Sequence, residues 1–262
     1  MQASRKSKVS LFGFNFDKIT LRQAVQRVLD LMDGDESGHY IVTPNLDHAV
    51  LVHERPDLLP VFGAATLVLA DGQSLVWASH WFRRPLPERV TGSDLVPSIF
   101  ESARRRSRVF LLGAAPGIAE TAARQIEARF PQICVVGVHS PPLGFETSEQ
   151  ENEIAVALVK EVAPDLLVLG LGTPKQELWA YRERGRLKAR VIVCAGATID
   201  FLAGEQVRAP QWCQRSGLEW LYRAFNQPRR LVPRYAKDAA IFPRLLVKQL
   251  MCDVGLDAFS ER

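Results

Sequence analysis

Residues 107–131 read "SRVFLLGAAPGIAETAARQIEARFP". The run Val109–Leu112 is apolar without alternation, the pattern of a strand covered on both faces. Gly113 and Gly117 then bracket a turn, and an amphipathic stretch follows. This is one βα unit, and the rhythm recurs along the chain. "PDLLVLGLGTPKQELWAYRERGRL" (164–187) is strand, loop and helix, and "ARVIVCAGATIDFLAG" (189–204) is strand and loop. "GHYIVTPNLDHAVLVHERPDLLPVFGAA" (38–65) gives a strand to Val42, a Thr43-Pro44-Asn45 break and a helix. "ATLVLADG" (65–72) and "ICVVGVHS" (133–140) are further strands. Residues 17–32 and 149–163 carry apolar residues at helical spacing, with Thr20 placed to cap the first. Alternating units of this kind predict an α/β fold: a Rossmann-like, doubly wound, mainly parallel sheet.

The chain has 262 residues, 47% of them hydrophobic and 24% charged, with a net charge of +4. That is enough for one large α/β domain, or for one domain plus an appendage. Cys134, Cys194, Cys213 and Cys252 lie far apart, and Cys134 and Cys194 fall inside strands, so reduced thiols are expected. The basic N-terminus has no apolar h-region, and no run of about 18 apolar residues occurs. The expectation is a cytoplasmic protein whose membrane contact, if any, is peripheral. No nucleic-acid motif is present.

Past Pro210 the βα rhythm stops. Residues 211–262 read as a basic, amphipathic helical appendage interrupted by Pro228, Pro233 and Pro243, following a Rossmann-like core of residues 1–210. Phe242, Leu245, Leu246, Leu250 and Met251 together with the basic residues suit an anionic bilayer surface; packing on the core or a subunit interface are the other readings.

Ligands of open parallel sheets bind beyond the carboxyl ends of the strands. Four loops lie there: Thr43-Pro44-Asn45, Asp71-Gly72-Gln73, the turn from Gly113 to Gly117, and the loop from Gly170 to Gln176. The Gly113 turn suits a phosphate or is simply a tight connection. It is not GxGxxG, and no Walker lysine follows. Gly170 and Gly172 permit close backbone approach, and Lys175 and Gln176 follow at a helix start. A helix dipole disfavours a cation there, so contact with a ligand is the favoured reading of Lys175 over a purely structural one. Asp71 ends a strand, where a catalytic acid or base would stand, and is equally a turn or capping residue. The "DGD" of residues 33–35 sits at the opposite end of the sheet and reads as a solvated turn. The five histidines show no metal spacing. The five tryptophans read as packing or interface residues.

"TPNLDHAV" (43–50), "ADGQSLV" (70–76), "PERVTGSDL" (87–95), "LGLGTPKQELW" (169–179), "IDFLAGEQVRAPQW" (199–212) and "GLEWLYRAFNQPRR" (217–230) occur in this order. Together they resemble the WecG/TagA/CpsF family of bacterial glycosyltransferases, over roughly residues 9–250. The resemblance implies an inverting transfer, without metal or cofactor, from a UDP-sugar to a saccharide on undecaprenyl diphosphate. It implies surface or exopolysaccharide biosynthesis at the inner face of the membrane. By the same resemblance, Asp71 is the base, and Thr43, Asn45, Arg89 and Gln176 belong to the substrate pocket. Arg208, Arg215, Arg223, Arg229 and Arg230 are candidates to contact the diphosphate.

The chemistry is consistent. Inversion needs one base on the acceptor hydroxyl, and a departing UDP needs fixed positive charge, which arginine forks supply. A Rossmann-like oxidoreductase or methyltransferase, and a non-catalytic module that gathers lipid-linked precursors, are the rival readings. "HSPPLGFE" (139–146) departs from the teichoic acid members and leans toward a hexose donor. The alternative is N-acetylmannosamine or its uronic acid. Oligomeric state is left open.

Overall fold

The computed structural model describes residues 8–210, 212–213 and 216–254. A hairpin of β1 (Lys8–Leu11) and β2 (Phe14–Asp17) precedes α1 (Leu21–Asp33). Thr20 caps α1 by accepting from the Gln23 amide, while the Gln23 side chain returns the bond to the Thr20 backbone. The core then runs β3 (His39–Val42), α2 (Leu46–Glu54), α3 (Leu59–Gly63), β4 (Leu67–Val68), α4 (Gln73–Trp81), α5 (Gly92–Ser102) and β5 (Ser107–Gly113). It continues through α6 (Ile118–Arg129), β6 (Ile133–His139), α7 (Glu149–Val162), β7 (Leu166–Gly170), α8 (Lys175–Glu183), β8 (Val191–Cys194) and α9 (Thr198–Leu202). Two helices close the described chain, α10 (Glu219–Asn226) and α11 (Pro228–Val254).

The six core strands form one parallel sheet in the order β4-β3-β8-β7-β5-β6. Their apolar runs split by side-chain alternation onto two faces. Tyr40, Val42, Phe110, Leu112, Leu167, Leu169 and Ile192 join the core on one face. Ile41, Val109, Leu111, Leu166, Val168, Val191 and Val193 join the core on the other. Period-2 geometry thus turns an unbroken hydrophobic run into two buried layers.

Two expectations change on meeting the structure. Of the strand read at residues 65–72, only Leu67–Val68 pairs in the ladder. Beyond it the Leu69 amide bonds the Val42 carbonyl, and the Asp71 amide bonds the Pro44 carbonyl, each at 2.9 Å. The extended chain therefore delivers Asp71 alongside the end of β3. The second change concerns the prolines. Pro228 starts α11, but Pro233 and Pro243 lie inside it without ending it. An interior proline costs a helix about 3 kcal/mol. Tertiary packing offsets this: Leu231 and Leu245 are buried, and Leu245 belongs to the core cluster. Polar ties add to it, from Gln249 to the Phe12 amide (2.8 Å) and from Lys237 to Glu54 (2.7 Å). Leu245 therefore faces the core rather than solvent, while Leu250 and Met251 stay exposed.

Candidate active site

A cavity of about 830 Å³ opens between the carboxyl ends of the strands and the two last helices. Its sheet side is built from the ends of β3 (Thr43, Asn45), β4 (Asp71, Gly72), β7 (Gly170–Thr173) and β8 (Ala195–Ala197). Its other side is built from Glu219, Trp220 and Arg223 of α10 and Leu231, Arg234, Tyr235, Asp238 and Phe242 of α11. The loops after β5 and β6 stay outside, because those strands lie at the far edge of the sheet. Gly113 is accordingly absent from the lining. Its lack of a side chain serves packing, since a Cβ there would meet the Gly170 carbonyl oxygen at 2.5 Å.

Asp71 stands where the extended chain turns into α4. Gly72 makes the turn at φ +133°, a conformation that L side chains rarely adopt. Among the described residues, no side chain hydrogen-bonds the Asp71 carboxylate. Burial in the cavity pushes its pKa up to about 6, opposed by Arg89, reinforced by Glu219, and opposed again by Arg223 and His48. A carboxylate poised near neutrality, unpaired and open to a ligand cavity, is suited to accept a proton.

Beside it lies an ion-pair network. Arg89 donates to Glu219 at 2.7 Å and lies 3.7 Å from Asp94. Arg208 donates to Asp94 at 2.5 Å and lies 3.6 Å from Glu219. Asp94 also accepts from Thr91, whose hydroxyl caps α5. Burial opposes ionisation of Asp94, yet the Arg208 hydrogen bond wins and holds its pKa below the ordinary value. The network clamps α10 to the loop before α5.

Under the opposite wall, Asn45 caps α2 by accepting from the His48 amide at 3.3 Å. Gln176 is buried; its amide donates to Glu177 at 2.8 Å, and its oxygen accepts from the Gly196 amide at 3.1 Å. His48 Nε2 lies 3.4 Å from Glu177 and 3.1 Å from the Thr173 hydroxyl. Thr43 reaches the Cys194 carbonyl at 3.5 Å. The side chains are thus fixed before any ligand arrives.

Of the residues singled out in the sequence, Asp71, Thr43, Asn45, Arg89, Gly172, Gln176 and Arg223 meet at the cavity. Arg208 stands behind the lining, holding Asp94. Lys175 is outside the lining and pairs with Glu146 at 2.6 Å, which neutralises its charge. Arg229 is exposed and off the lining. Arg215 and the Arg230 side chain lie outside the described residues. Arg223 makes no side-chain hydrogen bond or salt bridge among the described residues, which leaves its guanidinium for a ligand. Sequence reasoning missed Asp47 and His48, in the first turn of α2, and Arg234 and Asp238, which reach the cavity because α11 packs on α2. The tryptophans were read as packing or interface residues: Trp179 is buried, whereas Trp77, Trp81 and Trp220 line the cavity and are at least half exposed. Among the described residues, no group of three His, Cys, Asp or Glu side chains could hold a metal ion.

A doubly wound sheet with a cavity over the carboxyl ends of its strands, roofed by arginine-bearing helices, is the ligand-binding arrangement of open α/β folds. The sequence profile of the Glycosyl transferase WecG/TagA/CpsF family matches residues 9–253, and the chain belongs to this family of glycosyltransferases. It is similar to the N-acetylglucosaminyldiphosphoundecaprenol N-acetyl-beta-D-mannosaminyltransferase of Staphylococcus aureus strain MW2, at 29% identity over 88% of this chain and 89% of the relative. The enzymes of the same name from strains NCTC 8325 and MRSA252 match over the same shares of the two chains, at 29% and 28% identity.

Proposed function

We propose that the chain transfers N-acetylmannosamine from its UDP conjugate to N-acetylglucosamine carried on a polyprenyl diphosphate, with inversion and without a metal ion. The observation that carries this reading is Asp71: unpaired, raised to about 6, and facing the cavity beside Arg223. Asp71 takes the proton of the acceptor hydroxyl as that oxygen attacks the anomeric carbon. The bond from that carbon to the diphosphate breaks, and the electron pair leaves with UDP. Arg223 stabilises the departing charge, while Arg89, held by Glu219, keeps Asp71 largely ionised at neutral pH.

The name shared by the relatives supports N-acetylmannosamine rather than the hexose expected from residues 139–146. That stretch contributes nothing to the cavity lining, and its Phe145 is buried against Trp179. It therefore lends no support to a hexose donor.

Residues 1–210 act as the catalytic core in this reading, and the segment beyond closes it and meets an anionic membrane surface. No helix among the described residues is long and apolar enough to cross a membrane. Arg244, Val247, Lys248, Leu250 and Met251 are exposed at the end of α11, where basic and apolar groups together suit a bilayer surface.

The test is UDP release by purified protein in EDTA, crossing UDP-sugars with lipid-diphosphate-linked N-acetylglucosamine or glucose. Release with UDP-N-acetylmannosamine and the N-acetylglucosamine acceptor, requiring both, is expected. Release abolished by EDTA, or obtained only with a hexose donor, contradicts the proposal.

A further inference from the structure

On α11, Asp238 lines the cavity and is 5% exposed. Among the described residues its carboxylate accepts no hydrogen bond and makes no salt bridge, and its Oδ1 is buried without a partner. Two cations stand close on the same helix, yet both are committed elsewhere. Arg234, one turn back, grips Asp47 through two hydrogen bonds, and Lys237 is bonded to Glu54. Burial raises the Asp238 pKa to about 6; Asp47 raises it further, and Arg234, Lys237 and His48 oppose. A buried carboxylate without a donor is costly, and one kept at a cavity wall awaits a donor from the ligand.

The surroundings select the kind of donor. With Asp47 answered by Arg234, Asp238 remains as an unpaired carboxylate, which disfavours a phosphate beside it. Tyr235 and Phe242, three residues before and four after, lie on the same helix face and also line the cavity. Pro243 has no amide to give the carbonyl of Ala239, itself on the lining. Oxygen acceptors flanked by aromatic rings recognise a neutral sugar through its hydroxyls and its C–H face.

We infer that Asp238 is a specificity residue that accepts a hydrogen bond from a sugar hydroxyl at the α11 wall of the cavity. The inference rests on the glycosyltransferase reading. The hydroxyl belongs to the donor sugar or to the acceptor sugar, and kinetics separate the two.

The experiment compares the native full chain with Asp238→Asn and Asp238→Ala. Steady-state UDP release is measured with each substrate varied at saturation of the other. The KM for one sugar-bearing substrate is expected to rise about 10-fold or more. kcat stays within about threefold, UDP affinity is unchanged, and the melting temperature holds or rises, because a buried unpaired charge is removed. A raised acceptor KM places the hydroxyl on the acceptor, and a raised donor KM places it on the donor.

Ligand-observed NMR titration with N-acetylglucosamine and N-acetylmannosamine glycosides gives a readout independent of turnover. Failure of the proposed function shows as no turnover by the native chain. Failure of this inference shows as native and variant chains binding the glycosides alike, with unchanged KM values. A lower melting temperature in both variants at unchanged KM would assign Asp238 to structure and overturn it as well.

Discussion

Arg89 Nη1 donates to Glu219 Oε2 at 2.7 Å, joining the loop before α5 to the first turn of α10 across 130 residues of sequence. The pair lies beside Asp71 and acts on it with opposite signs: Arg89 lowers its pKa and Glu219 raises it. One contact therefore docks the closing helices and tunes the proposed base.

Substituting either partner moves the acid limb of the rate profile, in opposite directions. With Asp71 as base, kcat/KM rises with pH through about 6 and then levels. Arg89→Met removes a positive neighbour, so the limb moves to higher pH. Glu219→Gln removes a negative one, so the limb moves to lower pH. A pH series of kcat/KM for the three proteins checks this. Parallel shifts, or none, would remove the electrostatic link.

The same burial carries a stability signature. Asp71 is raised from 3.8 to about 6 in the folded chain, so the fold binds the extra proton. The resulting stabilisation is complete below pH 3.8 and lost as pH rises through 6. Asp71→Asn is expected to be more stable than native above pH 6, by about 1–2 kcal/mol after allowing for cavity water. The difference should fade below about pH 4. Denaturant melts across that range make the comparison.

Arg223 is the unpaired cation of the cavity wall among the described residues. Arg223→Ala should lower kcat/KM by about 10²–10³ and weaken UDP binding, as expected when a positive group facing a departing diphosphate is lost. Arg229→Ala, on an exposed site off the lining, should stay within about threefold. Equal losses from both would mean that the arginines act through general charge rather than position.

At the far end of α11, replacing Arg244 and Lys248 with Glu should weaken co-sedimentation with anionic liposomes by more than about 10-fold, at about 1 kcal/mol for each basic residue near the surface. Turnover on a short-chain, water-soluble acceptor should persist. Deleting everything after residue 210 should do more, abolishing turnover and lowering the melting temperature, because Leu231 and Leu245 pack into the folded chain.

Much of the fold was legible because β5, β7 and β8 are unbroken apolar runs, and Thr20 marks the start of α1. β4 was less so, since ladder pairing ends at Val68 while the chain stays extended to Asp71. The prolines of α11 read as breaks because local propensity carries no record of the packing that holds Leu231 and Leu245. At the site, strand-end loops pointed to Asp71, Asn45 and Gln176. Lys175 drew attention by its place at a helix start, and Glu146 was invisible as its partner. Asp47 and Arg234 meet across 187 residues, a contact that no local pattern announces. Asp238 gave no signal at all, because its significance lies in its neighbours being paired elsewhere.

The most direct test of the central claim is single-turnover transfer by native and Asp71→Asn chains, at saturating donor and acceptor, with UDP binding measured alongside. If Asp71 takes the acceptor proton, the variant binds UDP as the native chain does, and its transfer rate falls by about 10²–10⁴. Transfer at the native rate would contradict the account and send the search for a base to another group in the cavity.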